Sequence, residues 1–214
     1  MSRKSEVGEY VSRKIDWLAQ SEYLARSRLA ELRRGAGKEP GEIPGVCGTV
    51  LSGMPSGFIG EGGYASKEEW ACYTALTLFA LHQQGTNIEK KCMNTKDYAT
   101  IGIAANRMKL QQNDANGEER VFGHLQHIIS ADSINGAVWY LRSMIQQCKR
   151  LDIKVNYRQL AEDLYEWQFP DGKTRISLKW GQDFYRNLKE TKAAAGDAKE
   201  PQDNDNTLGG KNNE

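Results

Sequence analysis

The sequence of 214 residues has 3 histidines, 4 cysteines, 5 prolines and a net charge of only +1, and it lacks any long apolar run. Each shortage removes a class of protein. No stretch approaches the ~18 apolar residues of a membrane-spanning helix, and the first thirty residues, scattered with Arg and Lys, lack the apolar centre of a secretory signal. Cytoplasm is the expected compartment, with no membrane partner. Cys47, Cys72, Cys92 and Cys148 are too widely spaced for a C-x-x-C pair or a dense disulfide framework, so free buried thiols are expected. His124 and His127 could set two imidazoles on one helix face, but no neighbouring Cys or carboxylate pattern completes a zinc set, and an ordinary solvated helix face has the same spacing. Neither a metal nor another cofactor is expected.

Catalytic arrangements are equally scarce. The histidines have no plausible nucleophile beside them, and adjacent acids such as Glu162 and Asp163 face different ways on a helix. Chemistry from residues distant in sequence stays open, including a hydrolase built on His124 or His127, but the pattern asks for no enzyme. "GFIGEGG" at 57–63 lacks the order of a dinucleotide cradle and follows no strand pattern. Indeed no alternating pair of strands is found anywhere.

What the chain does have is helical period. An amphipathic segment covers about 9–34, carrying Ile15, Leu18, Leu29 and Leu32, and stops at Gly35. Residues 35–63 hold ten glycines with Pro40, Pro44 and Pro55, which reads as an irregular loop. Ser66 and Glu69 form a capping box before a nearly continuous apolar helix that stops near Gly85, and a polar, basic loop follows with Lys90, Lys91 and Lys96. Further helices are predicted over about 97–109, 118–129, 133–151, 156–167 and 173–188. The expectation is an all-α protein of about seven helices in two small bundles, 1–115 including the Gly-rich loop and 116–189, with a disordered tail over 190–214.

The near-neutral total hides a gradient. The tail holds six acids and three lysines, which leaves 26 basic against 22 acidic residues in the body. Placement matters more than this mild bias. From 133 to 151 no acid occurs, and the outer side carries Arg142, Gln146 and Lys149 with Arg150 adjacent. In "GKTRISLKWGQDFYRNL", Ile176, Trp180 and Phe184 form the buried stripe, while Arg175, Lys179 and Arg186 share a narrow sector roughly opposite. Such rows have two readings: solvated faces that prevent aggregation, or a phosphate track that displaces condensed counterions, Arg adding forked hydrogen bonds to phosphate.

A resemblance favours the second. "RLAELRRG" at 28–35, "GIAANRM" at 102–108, "ERVFGHLQHIISAD" at 119–132, "YLRSMI" at 140–145, "VNYRQLAEDLYEW" at 155–167 and "LKWGQDFY" at 178–185 together resemble the CasB small-subunit family of type I-E CRISPR Cascade, over most of residues 9–188. The resemblance implies an all-helical, non-catalytic subunit of an antiviral surveillance complex. Its partners there are guide RNA, target and displaced DNA strands, backbone and large subunits, and a second copy of itself. By position Arg33 and Arg34 match the family's "LRR" segment, Arg107 the Arg closing its Gly-led run, Arg120 its "RRF" segment and Arg142 a later "LRR". With Lys149, Arg175, Lys179 and Arg186 from the rows, and Lys67 near a helix start, these are the candidate nucleic-acid-binding residues. Family members often double the arginine where this chain has Glu119–Arg120 and Arg142–Ser143, so Lys67, Lys90, Lys91 and Lys96 are expected to compensate. The competing reading is an architectural adaptor whose basic faces meet acidic protein patches.

Overall fold

The computed structural model describes residues 1–20, 22–112 and 116–187, apart from the Leu24 side chain. These residues form nine α-helices and one short 3-10 turn, and among them no strand occurs. Residue 115, the expected end of the first bundle, and the expected tail at 190–214 lie outside the described residues.

Two local effects raise the helix count above the seven expected. The segment 9–34 is two helices, α1 (Arg3–Leu18) and α2 (Glu22–Arg34). Its apolar stripe stays in step across the join, with Ile15, Leu18, Ala25, Leu29 and Leu32 all buried, so periodicity alone does not show a break. The start of α2 is held from outside: the Glu22 amide, one of the orphan donors of a first turn, donates to Glu89 Oε1 at 2.8 Å from a loop 67 residues away.

The second effect lies in the Gly-rich stretch, which contains α3 (Pro44–Leu51). Pro44 sits at the first helical positions, where its missing N–H costs nothing. Val46 and Val50 bury the inner side, and α1 closes the far end: Tyr10 OH donates to the Val50 carbonyl and Lys14 Nζ to the Ser52 carbonyl at 2.5 Å.

Helix α4 (Lys67–His82) is the axis of the fold. Its capping box forms as the sequence predicts, Glu69 N donating to Ser66 Oγ at 3.0 Å and Ser66 N to Glu69 Oε2 at 2.6 Å. Every residue from Ala71 to His82 is buried, because α1, α2, α7 and α8 surround it. Beyond Gly85, which turns the chain at φ +82°, the buried Gln83 side chain holds the next loop. It donates to the Thr86 and Lys91 carbonyls at 3.1 and 2.8 Å and accepts from Met93 N at 2.8 Å.

The remaining helices are α5 (Ile101–Gln111), α6 (Gly117–Ser130), α7 (Ile134–Arg150), α8 (Tyr157–Trp167) and α9 (Gly172–Tyr185). One packing group gathers α1, α2, α3 and α8 around α4; the other combines α5, α6, α7 and α9. Contacts of α4 with α7 and of α8 with α9 join them, and one apolar cluster runs through both. Helices α5 and α9 come so close that a Cβ on Gly102 would collide with the Trp180 carbonyl oxygen. No helix among the described residues is long and apolar enough to cross a membrane.

Candidate nucleic-acid interface

The basic row on α9 does not stand alone. Arg175 Nε donates to Glu166 Oε1 at 2.8 Å and Lys179 Nζ to Asp163 Oδ1 at 2.7 Å, both carboxylates belonging to α8. Arg186 lies 3.3 Å from Asp183 Oδ1. Asp163 is 1% exposed and also accepts from Trp180 Nε1 at 2.8 Å; burial pushes its carboxyl up from the usual range, while Lys179 pulls against that shift. Asp183 is buried as well, accepting from Thr100 Oγ1 at 2.6 Å and Tyr98 OH at 2.9 Å. Helix α9 is free of acids on its outer side, yet Arg175 and Lys179 meet carboxylates supplied by α8, and Arg186 meets one from α9 itself. Lys67 is exposed, its ammonium 3.8 Å from the centre of the Phe169 ring.

A second group gathers where α2 ends beside α7. Arg33 and Arg34 occupy the last turn of α2, where cations complement the carbonyl end of a helix. Arg142 and Lys149 lie two turns apart on α7, about 10 Å along its axis. None of these four has an ion pair among the described residues. Lys149 Nζ instead donates to the Gln84 amide oxygen at 3.3 Å, and burial together with the positive charge of Arg33 lowers its pKa. Like charges held this close disfavour one another, and a bound anion relieves both.

Arg142 is pinned rather than paired. The loop leaving α2 crosses it, so that a Cβ on Gly37 would lie 3.2 Å from Arg142 Cδ, and Gly37 has φ +86°, in the region that favours glycine. The Arg142 Nε is buried without a hydrogen-bond partner among the described residues. The same loop is tied to the start of α7 by Asn135 Nδ2 donating to Glu39 Oε1.

The other candidates stand apart from both groups. Arg107 is half-buried on α5, lining a surface hollow with Asp97, Asp152 and Lys154. Exposed Arg120 donates from the first turn of α6 to Gln112 Oε1 at 3.2 Å. Of the loop lysines, Lys91 pairs with Asp152 at 2.5 Å, while Lys90 and Lys96 are exposed.

The histidines of the H-x-x-H part company: His124 Nδ1 lies 2.7 Å from Gln147 Nε2, and His127 stacks on Tyr140 with ring centres 5.2 Å apart. The more perturbed imidazole is His82, which the sequence reading passed over. It is fully buried, with Nδ1 2.9 Å from Tyr157 OH, and its pKa is pushed down to about 4 by burial first and by the Lys149 charge second. Its place in the continuous apolar run of α4 was the signal for that burial.

The model of the CRISPR-associated protein Cse2 family matches residues 28–185. Among solved structures, CasB from Thermobifida fusca is 24% identical, with a TM-score of 0.66 over 84% of this chain and 98% of that one. CasB from M. ruber is 21% identical, with a TM-score of 0.62 over 87% of this chain and 98% of that one. At these identities the two structures speak for the shared fold. No curated protein matches.

Proposed function

The chain belongs to the CRISPR-associated protein Cse2 family, and from that premise we propose that it is a non-catalytic small subunit of the Cascade surveillance complex, holding nucleic-acid backbone along the α2–α7 face. The observation that carries this reading is the unpaired state of Arg33, Arg34, Arg142 and Lys149 among the described residues. Cations that already have carboxylate partners must give them up before meeting phosphate, whereas these four need not.

Mechanistically the role requires no bond to be made or broken. Opening a DNA duplex against a guide RNA is a near-balanced exchange, so contacts to the displaced strand tip it toward the open state. Contacts to phosphate carry no sequence information, which suits a subunit that must accept any target. Guide RNA, the target and displaced strands, the backbone and large subunits and a second copy of the chain are the partners of this reading, and the cytoplasm is its compartment.

A second reading, the architectural adaptor, draws on α9. There Leu178 is 62% and Tyr185 59% exposed beside cations that already have partners, a composition suited to a protein contact. Fluorescence anisotropy of labelled single-stranded DNA across a salt series separates the two. The first reading expects salt-steep binding that an Arg33→Ala, Arg142→Ala, Lys149→Ala variant largely loses. Salt-insensitive binding, or equal binding by both proteins, overturns it in favour of the adaptor.

A further inference from the structure

On the acid-free outer side of α7 sits a large aromatic that the charge argument leaves unused. Trp139 is 65% exposed, while the other four tryptophans are buried or half-buried. At 100° per residue, Trp139, Arg142, Ser143, Gln146 and Arg150 share one side of the helix. Between Ser143, Gln146, Gln147 and Arg150 of this helix and Gln112 lies a surface hollow of about 230 Å³ with an amide-rich wall.

Trp139 is braced rather than loose. Its ring meets Tyr140 edge-on, with centres 6.3 Å apart and planes at 78°, and Tyr140 is itself stacked on His127 from α6 at 5.2 Å. The T-shaped contact steadies the indole and engages at most one of its two π faces. Acids stand only at the two ends of the helix: Asp132 precedes its cap, Glu39 is engaged by Asn135, and Asp152 beyond its last turn is paired with Lys91.

We propose that Trp139 is a base-stacking platform for single-stranded nucleic acid, receiving an unpaired base while Arg142, Lys149 and Arg150 follow the adjoining phosphates. The proposal rests on the nucleic-acid reading above and adds to it a contact that recognises bases rather than backbone. An indole with steady geometry and an open face suits any base, since every base has a π face. Cations along the same helix select an anionic strand over a neutral apolar surface, and a paired duplex, with its bases already stacked, is excluded. From Trp139 to Arg150 the helix advances about 16 Å, the length of some four to five stacked nucleotides at roughly 3.4 Å each.

The test compares an ordinary single-stranded oligonucleotide with an abasic strand of the same length, each titrated into the full chain and into Trp139→Ala and Trp139→Phe variants. Expected is a loss of about five- to a hundredfold for the ordinary strand with Trp139→Ala, an unchanged affinity for the abasic strand, and substantial recovery with Trp139→Phe. Equal binding of the ordinary strand by wild type and Trp139→Ala, with Arg142→Ala, Lys149→Ala still weakening it, overturns the stacking platform and leaves the phosphate track standing. If neither strand binds the wild-type chain, the nucleic-acid reading fails and the platform with it. Weakening of both strands alike by Trp139→Ala also overturns stacking, since the indole then supports the surface without meeting a base.

Discussion

Two faces of this molecule each carry several Lys and Arg side chains and use them differently. Along α1, α8 and α9 the charges interlock: Arg3 with Glu68, Lys4 and Arg175 with Glu166, Arg158 with Glu9 and Glu162, Lys179 with Asp163. Where α2 ends beside α7, Arg33, Arg34, Arg142 and Lys149 have no such partners among the described residues. The lesson is that a helix without acids on its outer side does not thereby present free cations. What decides is the neighbouring chain: α8 brings Asp163 and Glu166 to α9, whereas what meets Lys149 of α7 is the neutral amide of Gln84.

The largest effect should come from the buried end of the paired face. Asp163→Ala leaves the Trp180 N–H without an acceptor inside the core and removes the partner of Lys179. The expected loss of stability is about 3–5 kcal/mol, measured by denaturant unfolding. If the loss stays below about 1 kcal/mol, the ion pair is not what holds α8 to α9, and the contrast between the faces weakens.

Next in size is a pH dependence beneath the unpaired face. The pKa of His82 is depressed to about 4 in the fold from an ordinary 6.5, so between those values the unfolded chain binds the extra proton. Its contribution is therefore complete above about pH 6.5 and is lost as pH falls toward 4. The span corresponds to about 3 kcal/mol. Asp163, whose pKa is raised in the fold, acts in the opposite sense over the acid range, so the measurement has to be a difference. In His82→Asn the stability advantage of the wild type at pH 7 should shrink by about that amount at pH 4. A constant difference would mean that His82 is not held neutral under the Lys149 charge.

Binding sharpens the contrast further. Removing Arg33, Arg142 and Lys149 together should lower the salt slope of single-strand affinity by about 2, at roughly 0.7 per phosphate contact. Stability should hardly change, since cations without partners leave no buried carboxylate behind. A slope unchanged by the triple substitution would break the assignment of the track to this face.

Legibility in the sequence followed the range of the forces involved. The capping box at Ser66, the buried run of α4 and the stripes of α7 and α9 were readable because each is set within a few residues. The split before Glu22 was not, since its cap comes from Glu89, and α3 was hidden because glycine-rich composition suggests a loop until Tyr10 and Lys14 are seen to hold its end. Likewise the sector shared by Arg175, Lys179 and Arg186 was read from spacing, but the pairing of Arg175 and Lys179 depends on how α8 lies against α9, which no single-helix pattern encodes, whereas Arg186 pairs locally with Asp183 three residues earlier. That Arg33 and Lys149 meet no carboxylate among the described residues is equally a product of packing.

Arg175 offers the finest division between the faces because its expected effect is the smallest. It is exposed, and its partner Glu166 also accepts from Lys4, so Arg175→Ala leaves that carboxylate with a cation still in place. A surface pair of this kind contributes about 0.2–1 kcal/mol, and unfolding should register no more. The informative quantity is the salt slope of single-strand binding. An arginine committed to Glu166 releases no counterions when it is removed, so the slope should stay where the wild type sets it. A fall of about 0.7 in the Arg175→Ala variant would show that phosphate outcompetes the carboxylate, and both faces would then serve nucleic acid, with intramolecular pairing only the resting state of the α9 cations.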